Sequence, residues 1–245
     1  DAEHLPILRN PFAGLSAEVR VKPLQAGLTV AIEGRVNVML GDVGGAGRLG
    51  PELLASAEWD ALESAKVVCS LNWAANSKGT ELLLALRERL GRTKTIFFGP
   101  ADFRDRLREF RRLLSLQQRM KLFDWLALNE NEARASARLL GIRARGPASI
   151  CRQLSLKLGS RVDIHTRSAA YTAEGGRIAQ RVAKPAGAIR LTGAGDVWDA
   201  ASIYANLSGM SDGERLEFAN AAARLYITYP EPRPPSRDEI LAELE

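Results

Sequence analysis

Between residues 66 and 166, short strand-like runs alternate with longer amphipathic ones, and this alternation restricts the chain to one class of fold. "KVVCSL" (66–71), "KTIFF" (94–98), "FDWLAL" (123–128) and "RVDIHT" (161–166) are short and rich in β-branched or aromatic residues. Between them, "KGTELLLALRERLG" (78–91), an Arg-rich segment from about 102, "ENEARASARLLG" (130–141) and "PASICRQLSLKLG" (147–159) place apolar residues at helical spacing. Gly91, Gly141 and Gly159 supply three of the stops. Strands separated by helices need crossover connections, so the pattern predicts an α/β chain: a doubly wound, mostly parallel sheet flanked by helices. "AAYTAEGGRIAQRVA" (169–183) predicts a hairpin turning at Gly175–Gly176. Helices follow at 196–208, from Ser211 and from Ser236; the last two open with a Ser and a Glu three residues on, the capping-box pattern.

The first part reads differently. "EVRVKP", "LTVAIE" and "RVNVML" lie between residues 18 and 40 and predict a small antiparallel meander, preceding a helix at 51–64. A meander of this size is not stable alone and must pack on the main body or on a partner. With 245 residues, 46% of them hydrophobic, the whole chain reads as a single domain (1–245) carrying that meander as an appendage. No apolar run approaches the ~20 residues needed to cross a bilayer, and "DAEHLPILRNPF" lacks a secretory pattern, so a cytoplasmic protein without a membrane partner is expected. Cys69 and Cys151 each lie in an apolar periodic stretch and fit a reducing compartment. His4, His165 and two separated cysteines cannot make an ordinary zinc site, which leaves a hard cation held by oxygens. The formal charge of +5 is concentrated in "RDRLREFRRLLSLQQRMK" (104–121). There Phe103, Leu107, Phe110 and Leu114 form one stripe and Arg104, Arg108, Arg111 and Arg112 lie off it, a solvated basic face and not a nucleic-acid surface. The basicity favours anionic substrates, and abundant Arg, Glu and Leu lean towards a thermophilic source.

Ligands of open parallel sheets bind beyond the carboxyl ends of the strands. Those ends carry Asn72, Asp102, Asn129 with Glu132, and Thr166, each of which also suits an ordinary turn or helix cap. "GAGRLG" (45–50) matches a dinucleotide fingerprint, but Pro51 follows its last glycine and the next strand ends without an acid for a ribose, so a dehydrogenase is a weak reading. No P-loop sequence occurs. "RLTGAGDVWDAA" (190–201) is stronger. Val197, Ala200, Ala201, Tyr204 and Leu207 predict a helical stripe, which puts Gly193-Ala194-Gly195 at its amino-terminal approach and Asp196 in its first turn. A helix start offers unpaired N–H groups and a positive dipole, and glycines let a ligand come close. A plain cap accounts for Asp196 but gives the glycines no task.

"TGAGD" opening a helix, "NENE" (129–132) at a strand end and "FANAAARLYITYPEPRPPS" (218–236) together resemble the ribokinase-like, phosphofructokinase-B type carbohydrate kinases. "LNWAANSKGTELL", "GPAD" and "LNENEA" look most like the archaeal sugar-kinase branch, and the resemblance spans residues 18–245. It implies an ATP- and Mg²⁺-dependent phosphotransferase acting on a sugar, with Asp196 as the base on the acceptor hydroxyl and the backbone of Gly193, Ala194 and Gly195 as the anion hole. It further implies Asn129 and Glu132 as a water-mediated magnesium and phosphate site. Thr166, Arg190, Thr192 and Asn220 would be nucleotide contacts, and Asn72, Asp102 and Arg104 substrate contacts. The meander at 18–40 would be a β-lid over the sugar and the contact of a homodimer. Nucleoside as acceptor, ADP as donor, or a non-catalytic nucleotide- or sugar-binding member are alternatives. Three departures stand out: nothing before Glu18 resembles the family's substrate segment, which is therefore expected to be absent; Thr-x-Gly is Thr166-Arg167-Ser168; and the acid of the D-P motif is Gly99.

Overall fold

The computed structural model describes residues 25, 27–32 and 38–245. Strands β1 (Leu28–Ile32) and β2 (Val38–Asp42) pair antiparallel, Leu28 opposite Asp42 and Ile32 opposite Val38. After a 3₁₀ turn at Gly44–Arg48 and helix α1 (Ser56–Ser64), the main sheet begins. Its strands stand in chain order: β3 (Val67–Leu71), β4 (Thr95–Gly99), β5 (Trp125–Asn129), β6 (Arg161–His165), β7 (Ala169–Glu174) and β8 (Arg177–Val182). The first four run parallel, and β7 and β8 turn back antiparallel. The β7–β8 turn sits on Gly175 and Gly176, both at positive φ (+56° and +83°), which a tight hairpin with right-twisted strands demands. Crossovers are made by α2 (Gly79–Leu90), α3 (Leu107–Met120), and α4 (Glu130–Leu139) with α5 (Pro147–Leu158). The chain then passes through α6 (Ala194–Leu207), α7 (Asp212–Thr228) and α8 (Arg237–Leu244).

Both faces of the sheet are covered, because alternate residues of a strand point opposite ways. Ile96, Phe98, Leu126, Leu128, Val162 and Ile164 join α2–α5 in one core. Phe97, Trp125 and Ala127 face the other side with Ile203 of α6, and a further core lies between α6, α7 and α8. On that second face Asp163 of β6 is fully buried and accepts from Arg215 of α7 (2.6 and 3.2 Å), while Arg215 also donates to Ser202 of α6 (2.5 Å). Removing one partner of such a pair typically costs about 3–5 kcal/mol. This ion pair fixes α6 and α7 against the middle of β6. Among the described residues, no helix is long and apolar enough to cross a membrane.

Several expectations need correction. Of the meander, 18–24, 26 and 33–37 lie outside the described residues, and its last described strand, Val38–Asp42, runs two residues past the expected end at 40. The helix expected at 51–64 is a 3₁₀ turn at Pro51–Leu53 followed by α1, because the chain leaves helical geometry at Leu54 and Ala55. "GAGRLG" is a 3₁₀ turn and not the mouth of a dinucleotide-binding helix. In α3 the buried face is Phe110, Leu113, Leu114 and Gln117, with Phe103 buried ahead of the helix; Leu107 is exposed. Helix α6 starts at Ala194, two residues early, and its buried face is Trp198, Ala201, Ser202 and Ala205, whereas Ala200, Tyr204 and Leu207 are exposed. Hydrophobicity misplaced that face because close packing against α7 selects small residues, and the buried Ser202 is bonded to Arg215. Cys69 is exposed, and both cysteines are free.

Candidate active site

Parallel strands deliver their carboxyl ends to one edge, and α6 opens there. Gly193 precedes the helix with φ +87°, left-handed backbone that favours glycine. A Cβ on it would also stand 2.5 Å from the Tyr226 hydroxyl, which donates to the Thr192 carbonyl (3.0 Å). A Cβ on Gly195 would approach His165 to 3.4 Å. No side chain caps this helix; Val197 N–H makes its first i→i−4 bond, to the Gly193 carbonyl (3.0 Å). Ala194 N–H, expected among the anion-hole donors, donates instead to the Leu191 carbonyl (3.2 Å).

The start of α6 lies between two cavities. One, of about 710 Å³, includes Ala194 and Gly195 in its wall, with Asn129, Thr166 and Asn220 of the expected nucleotide residues. The other, of about 410 Å³, is largely apolar and includes Asp196 beside Tyr204, Phe218 and Pro234. Asp196 is exposed, and partial burial of its carboxyl raises its pKa.

Asn129 and Glu132 are engaged with one another. Asn129 Oδ1 accepts from Glu132 N–H (2.9 Å), and Glu132 accepts from Asn129 N–H (3.0 Å) and Nδ2 (2.7 Å), a complete capping box on α4. Burial pushes the Glu132 carboxyl up to about 7, with the Asp102 charge adding to it and the Asn129 amide opposing it. Asp102 is chelated by Arg104, which holds its pKa down, and both share a cleft of about 40 Å³ with Asn129 and Glu132. Asn72 is left-handed (φ 56°) and donates its N–H to the Gly99 carbonyl (2.9 Å). Thr166 closes its own turn, its hydroxyl donating to the Ala169 carbonyl (2.8 Å). Asn220 Oδ1 accepts from Trp198 Nε1 (3.0 Å). Arg190 does not line the large cavity; it donates to the carbonyls of Pro230 (2.6 Å) and Glu231 (2.8 Å) and so braces the loop after α7. Thr192 likewise meets Tyr226 through its carbonyl.

Sequence reasoning missed four kinds of participant. His165 lies in the cavity wall against Trp198, and burial holds it neutral, its pKa pushed down to about 4. Arg167 is exposed on the same wall. Lys184 and Arg224 line it from the β8 side and from α7. Asp199, one turn after Asp196, lies under the strand edge: a Cβ on Gly99 would be 3.6 Å from its Oδ2, and its Oδ1 is buried without a partner. Burial, then the charges of Asp163, Asp196 and Glu132, raise its pKa well above the carboxylate range. Only a tertiary neighbour distinguishes any of these from a surface residue. The single available signal was Asp199 itself, an acid next in sequence to the buried Trp198.

The pfkB family carbohydrate kinase model matches residues 25–239. The chain belongs to the pfkB family of carbohydrate kinases, and its fold is ribokinase-like. It is similar to the ribokinase of Thermotoga maritima (TM-score 0.77, 21% identity, 100% of this chain and 77% of that one). It also resembles a putative ribokinase II from E. coli in complex with ATP and Mg²⁺ (0.71, 16%, 88% and 70%). A third similar structure is the adenosine kinase of Sinorhizobium meliloti (0.73, 18%, 89% and 65%). The chain therefore spans about two thirds to three quarters of the length of these structures. None of the curated proteins matches it.

Proposed function

We propose that the chain is a cytoplasmic sugar kinase that transfers the γ-phosphate of ATP to a hydroxyl of a sugar or sugar-like alcohol. One observation carries this reading: the start of α6 separates two cavities, with Ala194 and Gly195 facing the larger and Asp196 the other. Phosphoryl transfer needs donor and acceptor on opposite sides of the moving group, with charge stabilisation between them. The larger cavity is the nucleotide side. The start of α6 stabilises charge on the transferring group through its dipole and first-turn N–H groups. Asp196 accepts the proton of the acceptor hydroxyl, and its raised pKa strengthens it as a base.

Mg²⁺ neutralises phosphate charge when bound with the nucleotide. Among the described residues no group of three or more His, Cys, Asp or Glu stands ready to hold an ion directly. The buried Glu132 and its partner Asn129 fit the role through the ion's water shell, since a half-protonated carboxyl gains from a nearby cation. Asn72, Asp102 and Arg104 lie at the same strand edge but outside the wall of the Asp196 cavity, Asp102 and Arg104 lining the small cleft of Asn129 and Glu132 instead; they are proposed to meet the part of the acceptor that extends along that edge, and the β1–β2 ribbon to act as lid and dimer contact.

The test is transfer from ATP with Mg²⁺ to a panel of sugars, sugar acids and nucleosides. Asp196→Asn should lower turnover about 10²–10⁴-fold while nucleotide binding persists. A product formed only from a nucleoside would replace the sugar acceptor; binding of nucleotide without any transfer would make the chain a binder.

A further inference from the structure

Most of the charge on the wall of the larger cavity is already paired within the protein. Glu130 accepts from Arg134 one helical turn on (2.6 Å). The head groups of Lys184 and Arg224 are held by Glu243 of α8, which lines a separate small cleft. Arg224 Nη2 pairs with that carboxylate, and Lys184 Nζ stands 3.9 Å from it and donates to the Glu243 carbonyl (3.4 Å). His165 is neutral through burial. Arg167 is the exception. It is exposed on this wall, and among the described residues neither a carboxylate nor another acceptor engages its guanidinium.

The backbone under Arg167 is nonetheless fixed. Thr166 Oγ1 accepts from the N–H groups of Ser168 (3.2 Å) and Ala169 (3.0 Å), which folds the β6–β7 connection into a tight turn around Arg167. The Ser168 carbonyl accepts from Ala183 N–H (2.8 Å) and so ties the turn to the cavity wall beyond β8. His165, two residues before Arg167, packs on the start of α6, where a Cβ on Gly195 would stand 3.4 Å from its ring. A cation on so short a tether stays beside the open first turn of that helix. There Ala194 N–H is committed to the Leu191 carbonyl, so one donor expected to meet a phosphate is spent. We propose that Arg167 is a binding residue for the phosphate chain of the donor nucleotide, its guanidinium supplying positive charge that the rest of the wall has already paired. The proposal rests on the larger cavity being the nucleotide site. A guanidinium presents planar donors that match phosphate oxygens two at a time, and an unpaired one gives up no protein partner when it turns to a phosphate.

The experiment is calorimetric titration of the full chain, Arg167→Gln and Arg167→Lys with ATP and Mg²⁺ at low and high salt, with each protein also melted without ligand. Arg167→Gln should weaken ATP binding about tenfold to a hundredfold, the scale of a hydrogen bond to a charged group. Its melting temperature should stay that of the unaltered chain, because no described residue bonds to this side chain. Arg167→Lys should recover part of the loss, since it keeps the charge without the fork. Added salt should narrow the gap between the unaltered chain and Arg167→Gln, because screening weakens an exposed ion pair. Unchanged ATP affinity in Arg167→Gln overturns the role of Arg167 and leaves the nucleotide cavity standing. A loss that Lys does not relieve and salt does not narrow comes from the shape of the turn and overturns it as well. If the unaltered chain binds no ATP, the cavity reading falls and the proposal with it.

Discussion

Helices α4 and α6 both open at the carboxyl edge of the sheet, yet their first turns are built in opposite ways. At α4 the orphan N–H groups are satisfied internally, with Asn129 and Glu132 exchanging bonds in both directions. Helices α7 and α8 do the same with Ser211 and Glu214 and with Ser236 and Glu239. At α6 a left-handed glycine stands where the cap would be, and it has no side chain with which to cap the first turn. A closed start stabilises the helix by about 1 kcal/mol; an open one forgoes that and keeps its field for a ligand. The difference separates a helix start closed by its own side chains from one whose first turn is left open, and on the proposed function the open one serves the chemistry.

The strongest way to break this contrast is Gly193→Ala. A methyl group there meets the Tyr226 hydroxyl in a backbone region that L residues avoid. If the open start is the anion site, displacing it should lower turnover about 10²–10³-fold, the scale of losing one oxyanion donor. Thermal melting measured alongside should show a smaller effect, a loss of about 1–2 kcal/mol from the strained φ. Turnover preserved in a destabilised variant would mean that the glycine serves only the packing of Tyr226.

A second comparison sharpens the role of α4. Asn129→Ala and Ser211→Ala remove equivalent caps, and each should cost about 1 kcal/mol in denaturant unfolding. Ser211 lies at the amino-terminal end of α7, away from the nucleotide cavity wall, so its loss should leave KM for nucleotide unchanged. Asn129 lines that cavity, and its loss should raise KM as well. Matching KM values in the two variants would return Asn129 to capping alone.

The contrast was only half visible in the amino-acid sequence. Capping boxes are local, so Ser211–Glu214 and Ser236–Glu239 could be read three residues apart, as could the alternation of strand and helix. The glycines before Asp196 were legible because a cap has no need of them. What could not be read was set by distant chain. The buried face of α6 is chosen by α7 and the sheet, 39 residues separate Ser202 from Asp163, and Arg224 meets Glu243 only because α8 folds back. Arg190, expected at the nucleotide, turns to loop carbonyls some 40 residues on. Side chains with long reach are the ones whose partners sequence spacing hides.

The smallest expected effect concerns the carboxyl that closes α4. Burial raises Glu132 to about 7 from an ordinary value near 4.5, so the folded chain holds a proton that the unfolded chain gives up. Stability from this group is therefore fully present below about pH 4.5 and is lost as pH rises to about 7. Glu132→Gln keeps an acceptor for the Asn129 N–H, since Gln also serves in capping boxes, but cannot ionise. It should flatten the stability curve across that window and raise stability at pH 8 by on the order of 1 kcal/mol, with little change at pH 4. If Mg²⁺ with nucleotide binds beside Glu132 as proposed, it opposes the same burial cost, so the ligand should stabilise the native chain more at pH 8 than at pH 5 and lose part of that difference in Glu132→Gln. Melting curves at the two pH values, with and without MgATP, measure both effects. A ligand effect that ignores pH in both proteins would confine Glu132 to the cap and leave α6 as the one helix start at this edge that the reaction uses.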